Sequence, residues 1–228
     1  MHVFVDSLEA LELDDDDRHH LVRVLRVRDG EAVTASDGRG SWRACEWRGD
    51  RLVAAGDVVV EAAPVPPVTV AFALTKGEKP ELTVQKLTEV GVDRIVPFAA
   101  ARSVVRWDEA KAARNVERLR RVAREAAMQS RRAFLPTVDD VTTFDGAAAL
   151  PGACLADAGG EPPSLDRPTV LVGPEGGWSD EERAAGVPVV ALGPHVLRAE
   201  TAAIVAGALV VALRSSLCQH HPRSPRGD

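Results

Sequence analysis

The stretch TVLVGPEGGWSDEE, residues 169–182, runs from an apolar segment through a glycine-rich turn into a run of acidic residues. Ser179 stands three residues before Glu182, which is the spacing of a capping box, so we expect a helix to begin at Asp180. The turn at 173–178 then joins the carboxyl end of a strand to a helix. Open α/β sheets bind ligands at such connections.

The glycine-rich turn matches neither of two common phosphate-binding loops. A P-loop needs a Lys-Ser or Lys-Thr pair after its last glycine, and a dinucleotide fingerprint needs G-x-G-x-x-G. The acidic residues Glu175, Asp180, Glu181 and Glu182 would also repel phosphate. The turn therefore suits a neutral or cationic ligand better, and the pattern by itself is equally compatible with a tight structural turn.

Strands and helices alternate on both sides of this turn. We predict strands at 68–74, 94–98, 153–157, 169–173 and 187–192. Helices are predicted between Pro80 and Gly91, at about 109–130, and at 201–213, where small residues permit close backbone packing. This alternation predicts a mostly parallel sheet covered on both faces.

The N-terminal part of the chain has a different pattern. Residues 30–61 contain short β-rich runs separated by Asp37-Gly38 and Gly49-Asp50, which indicates a small β-barrel. Three prolines within 62–67 then mark a boundary. The expected organisation is a barrel domain at 1–63, a linker at 64–67, an α/β domain at 68–214 and a disordered tail at 215–228.

Composition excludes several classes of protein. The 228 residues carry a net charge of -6, and their three cysteines have no paired spacing, which argues against a disulfide framework or a metal site. The longest apolar run, 201–213, is shorter than the roughly 20 residues of a membrane span. The N-terminus has no secretory signal pattern. We therefore expect a cytoplasmic protein without bound metal or membrane contact.

Positive charge is concentrated in two segments of this acidic chain, at 18–28 and 102–132. Each segment alone could be a solvated face, but together they favour a polyanionic partner. The candidate polyanion-binding residues are Arg18, His19, Arg23, Arg26, Arg102 and Arg132 in these segments, with Lys76 and Lys79 in a loop after a predicted strand. Arg198 precedes a predicted helix N-terminus, a position that does not favour a cation on grounds of stability and so favours a functional role.

Four segments together resemble the RsmE family of SPOUT-class methyltransferases. They are KGEKPELTVQKLTEVGV (76–92), EAAMQSRR (125–132), LVGPEGGWSDEE (171–182) and LGPHVLRAETA (192–202), and RHHLVRVLRVRDG (18–30) precedes them. The family methylates N3 of a uridine in 16S ribosomal RNA of the small ribosomal subunit. The chain departs from it at His195, where members often carry Arg or Asn.

The resemblance implies a PUA-like β-barrel that binds RNA and a SPOUT α/β domain with a deep trefoil knot. It also implies a homodimer whose S-adenosyl-L-methionine pocket lies near the subunit interface. The implied cofactor-binding residues are Gly173, Pro174, Glu175, Gly176, Gly177, Leu192, Gly193, Leu197, Arg198, Thr201 and Ala202.

Catalytic roles follow from the chemistry of this reaction. Uracil N3 must lose a proton, so Arg198 is expected to stabilise the developing anion and Glu200 to accept the proton. The alternative function is a non-catalytic RNA-binding factor for ribosome assembly on the same scaffold.

Overall fold

The structure of the chain is a computed structural model that describes residues 1–24 and 26–217. These residues form two compact units. One comprises Met1–Pro64 with Arg121–Pro136, and the other comprises Val65–Arg120 with the residues from Thr137 onward. All but the first three residues of the predicted tail lie outside the described part of the chain.

The first unit is built on a four-stranded sheet. Its strands are β1 (His2–Phe4), β2 (Ala32–Ser36), β3 (Ser41–Arg48) and β4 (Arg51–Val60), in that order across the sheet. β1 is parallel to β2, and the other neighbours are antiparallel. The two turns predicted at Asp37-Gly38 and Gly49-Asp50 join β2 to β3 and β3 to β4. A short helix, α1 (Asp15–His19), continues into a π-helical turn at His20–Val24.

The second unit is a parallel sheet with helices. Its strands are β5 (Thr69–Ala73), β6 (Arg94–Ala99), β7 (Thr137–Val138), β8 (Thr142–Thr143), β9 (Ala153–Glu161), β10 (Thr169–Val172) and β11 (Val189–Val190). Their order is β11-β9-β10-β5-β6-β7, β8 also pairs with β6, and every pairing is parallel. The predicted parallel sheet is confirmed, whereas the trefoil knot stays a prediction.

Four of the helices follow the sequence signals closely. The helices are α2 (Lys79–Val90), α3 (Glu109–Gln129), α4 (Phe144–Ala148), α5 (Asp180–Ala184) and α6 (Ala199–Arg214). Pro80 lies in the first turn of α2, and Gly91 ends that helix at φ 100°. The sequence did not predict α4, because its five residues are too few to show a periodic apolar pattern.

The segment Arg121–Pro136 packs within the first unit. Ala127 and Met128, near the end of α3, cluster with Phe4 of β1. Past the helix, the Ser36 hydroxyl donates to the Ala133 carbonyl at 2.9 Å. The limits predicted from the sequence, 1–63 and 68–214, place this segment in the α/β domain. A division at one point of the sequence cannot show that the chain later returns to pack on the first sheet.

Close helix packing in the second unit depends on Gly207. A methyl group at this residue of α6 would lie 2.8 Å from Leu87 Cδ2 and 2.8 Å from Val92 Cγ2. The small residue therefore lets α6 approach α2 and the turn after it, as the sequence of small residues predicted. In a close-packed core, added volume must displace its neighbours.

We expect Gly207→Leu to lower the free energy of unfolding by about 1–3 kcal/mol, the usual cost of overpacking a core. Urea denaturation measures this change. Ala113→Leu is the matched control, since Ala113 is exposed on α3 and surface changes usually stay within about 0.5 kcal/mol. Equal unfolding free energies for the two variants would contradict the packing described.

Candidate active site

The turn after β10 has the geometry that the capping box predicted. The Gly177 amide donates to the Pro174 carbonyl at 2.9 Å, which closes the turn. The Glu182 amide donates to Ser179 Oγ at 3.1 Å, and the Ser179 amide donates to Glu182 Oε2 at 2.8 Å. The predicted helix start at Asp180 is therefore confirmed.

The carboxylate of Glu182 has a second function that the sequence did not reveal. Its Oε1 accepts a hydrogen bond from the Ala101 amide at 2.8 Å, although Ala101 is 81 residues away in the chain. The side chain is almost completely buried. One carboxylate thus holds both the start of α5 and the loop after β6 at the same edge of the sheet.

Trp178 supports the turn from below. Its ring is buried and stacks on Phe98, with ring centroids 6.1 Å apart and planes 8° from parallel, while Phe144 meets it edge-on. The indole Nε1 donates to the Ala156 carbonyl of β9 at 3.1 Å. A methyl group at Gly173 would come within 3.0 Å of the ring, so the glycine allows the backbone to lie directly on it.

A cavity of about 510 Å³ opens above this indole, at the carboxyl end of β10 and beside the middle of β9. Three segments line it, at 156–158, 172–178 and 192–202. Its size is within the range of small-molecule sites. The cavity lies where the sequence analysis located the ligand site.

Nine of the eleven predicted cofactor-binding residues line this cavity: Gly173, Pro174, Glu175, Gly177, Leu192, Gly193, Leu197, Arg198 and Ala202. The other two do not. Gly176 faces Arg102, because a methyl group there would lie 3.2 Å from the Arg102 backbone oxygen. Thr201 is exposed outside the cavity.

One wall of the cavity, formed by residues 156–158, was not predicted from the sequence. Ala156, Asp157 and Ala158 line it because β9 pairs with β10 in parallel, with Ala156 opposite Val172. The Asp157 carboxylate pairs with Arg183. Asp157 lies within the predicted strand 153–157, and only the sheet order shows that this strand neighbours β10.

Arg198 lies at the edge of the cavity. It precedes α6 with extended backbone angles and makes no hydrogen bond through its side chain to the helix. It is exposed and lines the cavity. Across residues 1–24 and 26–217, no ion pair of its guanidinium is found. A developing negative charge in the cavity would therefore meet a cation not committed elsewhere.

Glu200 does not line the cavity. Its side chain is 12% exposed, and its Oε2 lies 3.5 Å from Lys79 Nζ. The same ammonium donates to Glu175 Oε1 at 2.8 Å. This hydrogen bond raises the pKa of Lys79 and lowers the pKa of the Glu175 carboxyl.

The predicted RNA-binding residues divide between the two units. Arg18, His19, Arg23 and Arg26 are exposed in or just after the helical segment of the first unit, which also contains Arg132. Lys76, Lys79 and Arg102 belong to the second unit, and all three lie on loops or helix ends at the carboxyl edge of its sheet. Among these three, Lys79 is the residue engaged by carboxylates at hydrogen-bonding distance.

Within residues 1–24 and 26–217, no group of three or more His, Cys, Asp or Glu side chains is arranged to hold a metal ion. None of their helices is both long enough and apolar enough to cross a membrane.

Comparison with known proteins assigns the family. Residues 61–211 match an RNA methyltransferase domain, and residues 13–46 match an RNA methyltransferase PUA domain. The chain is 37% identical over 245 residues to the ribosomal RNA small subunit methyltransferase E of Mycobacterium bovis, covering 94% of this chain and 92% of that relative. The chain belongs to the ribosomal RNA small subunit methyltransferase E family. The methyltransferase E of Bacillus subtilis is 30% identical over 235 residues, covering 89% of this chain and 90% of that relative.

Solved structures agree with membership of the methyltransferase E family. The enzyme of this name from Neisseria gonorrhoeae, bound to S-adenosyl methionine, superposes with a TM-score of 0.78 at 26% identity, covering 93% of this chain and 97% of that chain. A putative methyltransferase from Legionella pneumophila in complex with the same cofactor gives 0.76 at 26% identity, covering 92% and 96%. The predicted family, the SPOUT-type α/β fold and the PUA-like N-terminal domain are thereby confirmed.

We expect Trp178→Leu to lower the free energy of unfolding by about 2–4 kcal/mol, because it removes ring contacts and leaves a void under the turn. Chemical denaturation measures the loss. Trp107→Leu serves as the matched control, since Trp107 is only partly buried in the same unit. If the two variants lost equal stability, the support of the turn by the indole would be refuted.

Proposed function

We propose that the protein transfers the methyl group of S-adenosyl-L-methionine to N3 of a uridine in 16S ribosomal RNA of the small ribosomal subunit. The carrying observation is the cavity at the carboxyl edge of the parallel sheet, which nine residues of the family's cofactor loops line. The homologues named small subunit methyltransferase E and the two cofactor-bound structures support the same reaction.

The chemistry of the lining residues fits this cofactor. Val172, Trp178, Leu192 and Leu197 give the cavity apolar walls, while Glu175 and Asp157 add carboxylates at its edge. No lysine lines it, so nothing resembles the cation of a P-loop. Apolar walls with a few convergent polar groups suit a ligand that combines a flat base, a ribose and an amino acid.

The protein's contribution to the reaction is alignment and management of charge. The cofactor supplies the methyl group, which leaves sulfur as the uracil nitrogen attacks in line. The rigid turn above Trp178 would fix one reactant, and Arg198 would stabilise the negative charge that develops on the uracil. Proton acceptance by Glu200 stays a prediction, because its carboxylate lies beside Lys79 and does not line the cavity.

RNA would be held by both units. The basic residues Arg18, His19, Arg23 and Arg26 precede the sheet strands β2 to β4, and Arg132 belongs to the same unit. Lys76 and Arg102 are exposed beside the second unit's catalytic edge. Phosphate contacts of this kind position an RNA without reading its sequence, so the fold of the substrate would choose the uridine.

We also propose that the protein acts as a homodimer in the cytoplasm. α6 is strongly apolar, yet Ile204, Val205, Ala208, Leu209 and Ala212 along it are only partly buried. Partly exposed apolar residues on one helix are typical of a surface that a partner covers. A second copy of the chain packed here would lie beside the cavity, because α6 begins at the cavity's edge.

Calorimetry and ribosomal RNA mapping test the reaction. The protein should bind S-adenosyl-L-methionine, and 16S RNA from a strain lacking it should lose one N3-methyluridine, as measured by mass spectrometry. An unchanged methylation pattern would refute the substrate. Lack of cofactor binding would refute the enzyme and favour the alternative, an RNA-binding assembly factor.

The role of Arg198 has its own test. Arg198→Ala should lower kcat by about 100-fold, since removal of one group that stabilises a transition-state anion typically costs that much or more. The unfolding midpoint should stay unchanged, because the side chain is exposed. Arg167→Ala, at an exposed site before β10, is the control for loss of a surface arginine. Near-normal turnover of the Arg198 variant would remove this residue from the mechanism.

A further inference from the structure

Lys79 links two elements that border the cavity. It is the first residue of α2, and its Nζ lies 2.8 Å from Oε1 of Glu175 in the turn after β10. The same Nζ lies 3.5 Å from Oε2 of Glu200 in the first turn of α6. One ammonium group therefore contacts carboxylates from the second and the third of the segments that form the cavity, 172–178 and 192–202.

Burial differs between the two carboxylates. Glu175 is 39% exposed and Lys79 is 35% exposed, so their pair alone contributes little to stability in water. Glu200 is only 12% exposed, and its Oε2 is buried without a hydrogen-bond partner within the described residues. Lys79 is the cation found near this oxygen, so removing it would leave a largely buried carboxylate uncompensated.

The arrangement disfavours a direct contact between Lys79 and phosphate. Two carboxylates surround one ammonium, so the group as a whole carries negative charge. A phosphate that approached Lys79 would have to displace Glu175 or accept repulsion from both acids. Among residues 1–24 and 26–217, exposed Lys76, three residues earlier, has no such partner at ion-pairing distance, so it is the better candidate for that contact.

We propose that Lys79 is a positioning residue of the methyl-transfer site, which holds the turn containing Glu175 and the N-terminus of α6 together as one wall of the cofactor cavity. The inference rests on the proposed function, since it assigns a role within that same site. Without this ammonium, Glu175 and Glu200 repel each other and the two segments separate. Cofactor binding must then supply the free energy that brings the two segments back together, so the affinity for the cofactor falls.

The test compares four proteins: the full chain, Lys79→Met, Lys79→Arg and Lys86→Met. Methionine removes the charge and keeps the length of the side chain. Lys86 also lies on α2, and its ion pair among the described residues is with Glu89 on the same helix, so it controls for loss of a lysine there. Calorimetry with S-adenosyl-L-methionine measures affinity, and binding of a 16S RNA fragment over a range of salt measures phosphate contacts.

Lys79→Met should weaken cofactor binding about tenfold or more, while Lys79→Arg restores most of the affinity and Lys86→Met equals the unaltered chain. The salt dependence of RNA binding should not change, whereas loss of a phosphate contact would lower its slope by about one. The inference is overturned if Lys79→Met binds the cofactor within about twofold of the unaltered chain, or if its salt slope falls by about one.

A double-mutant cycle guards against a general loss of structure. With Glu200→Gln already present, Lys79→Met should cost much less affinity than it does in the unaltered chain, because the carboxylate that it compensates is gone. Fully additive losses would overturn the inference. If the unaltered chain itself fails to bind the cofactor, the proposed function fails instead, and that result is visible without any variant.

Discussion

The contact between the Trp178 indole and the backbone at Gly173 is the one on which the rest of the site depends. Phe98 from β6, Phe144 from α4 and the Ala156 carbonyl from β9 all meet the same ring. Because protein cores are close-packed, the ring cannot shift without moving residues of two strands and a helix. The floor of the cavity is therefore rigid, whereas the walls at 173–177 and 192–198 are loops.

Polar contacts at the cavity walls reduce the negative charge that the acidic residues were expected to give the turn. In the sequence, Glu175 and its neighbours suggested a negatively charged turn that would reject phosphate. In the structure, Glu175 pairs with Lys79, and Asp157 on the opposite wall pairs with Arg183. Much of the negative charge is thus compensated within the protein. Arg198 also lines the cavity, and its side chain is exposed.

How much the sequence could predict depended on how local each cause was. The capping box of α5, Pro80 in the first turn of α2 and Gly91 at its end are encoded within a few residues, so they could be read directly. The cavity residues in the turn after β10 were predicted for the same reason, since they directly follow that strand in the sequence. Asp157 and the Lys79 contacts were missed because they depend on which strands are neighbours, and the order β11-β9-β10-β5 is not that of the chain. The packing of Arg121–Pro136 on the first sheet escaped prediction for the same reason.

The bond between Glu182 and the Ala101 amide has a consequence for how the protein folds. α5 contains only five residues, too few to persist as an isolated helix in water. Its first turn shares a carboxylate with a loop made 81 residues earlier, so the helix becomes stable only when β6 and β10 have already come together around β5. Contacts of such long sequence separation form late and slowly. The part of the cavity next to α5 is therefore expected to form only after the sheet of the second unit has assembled around β5.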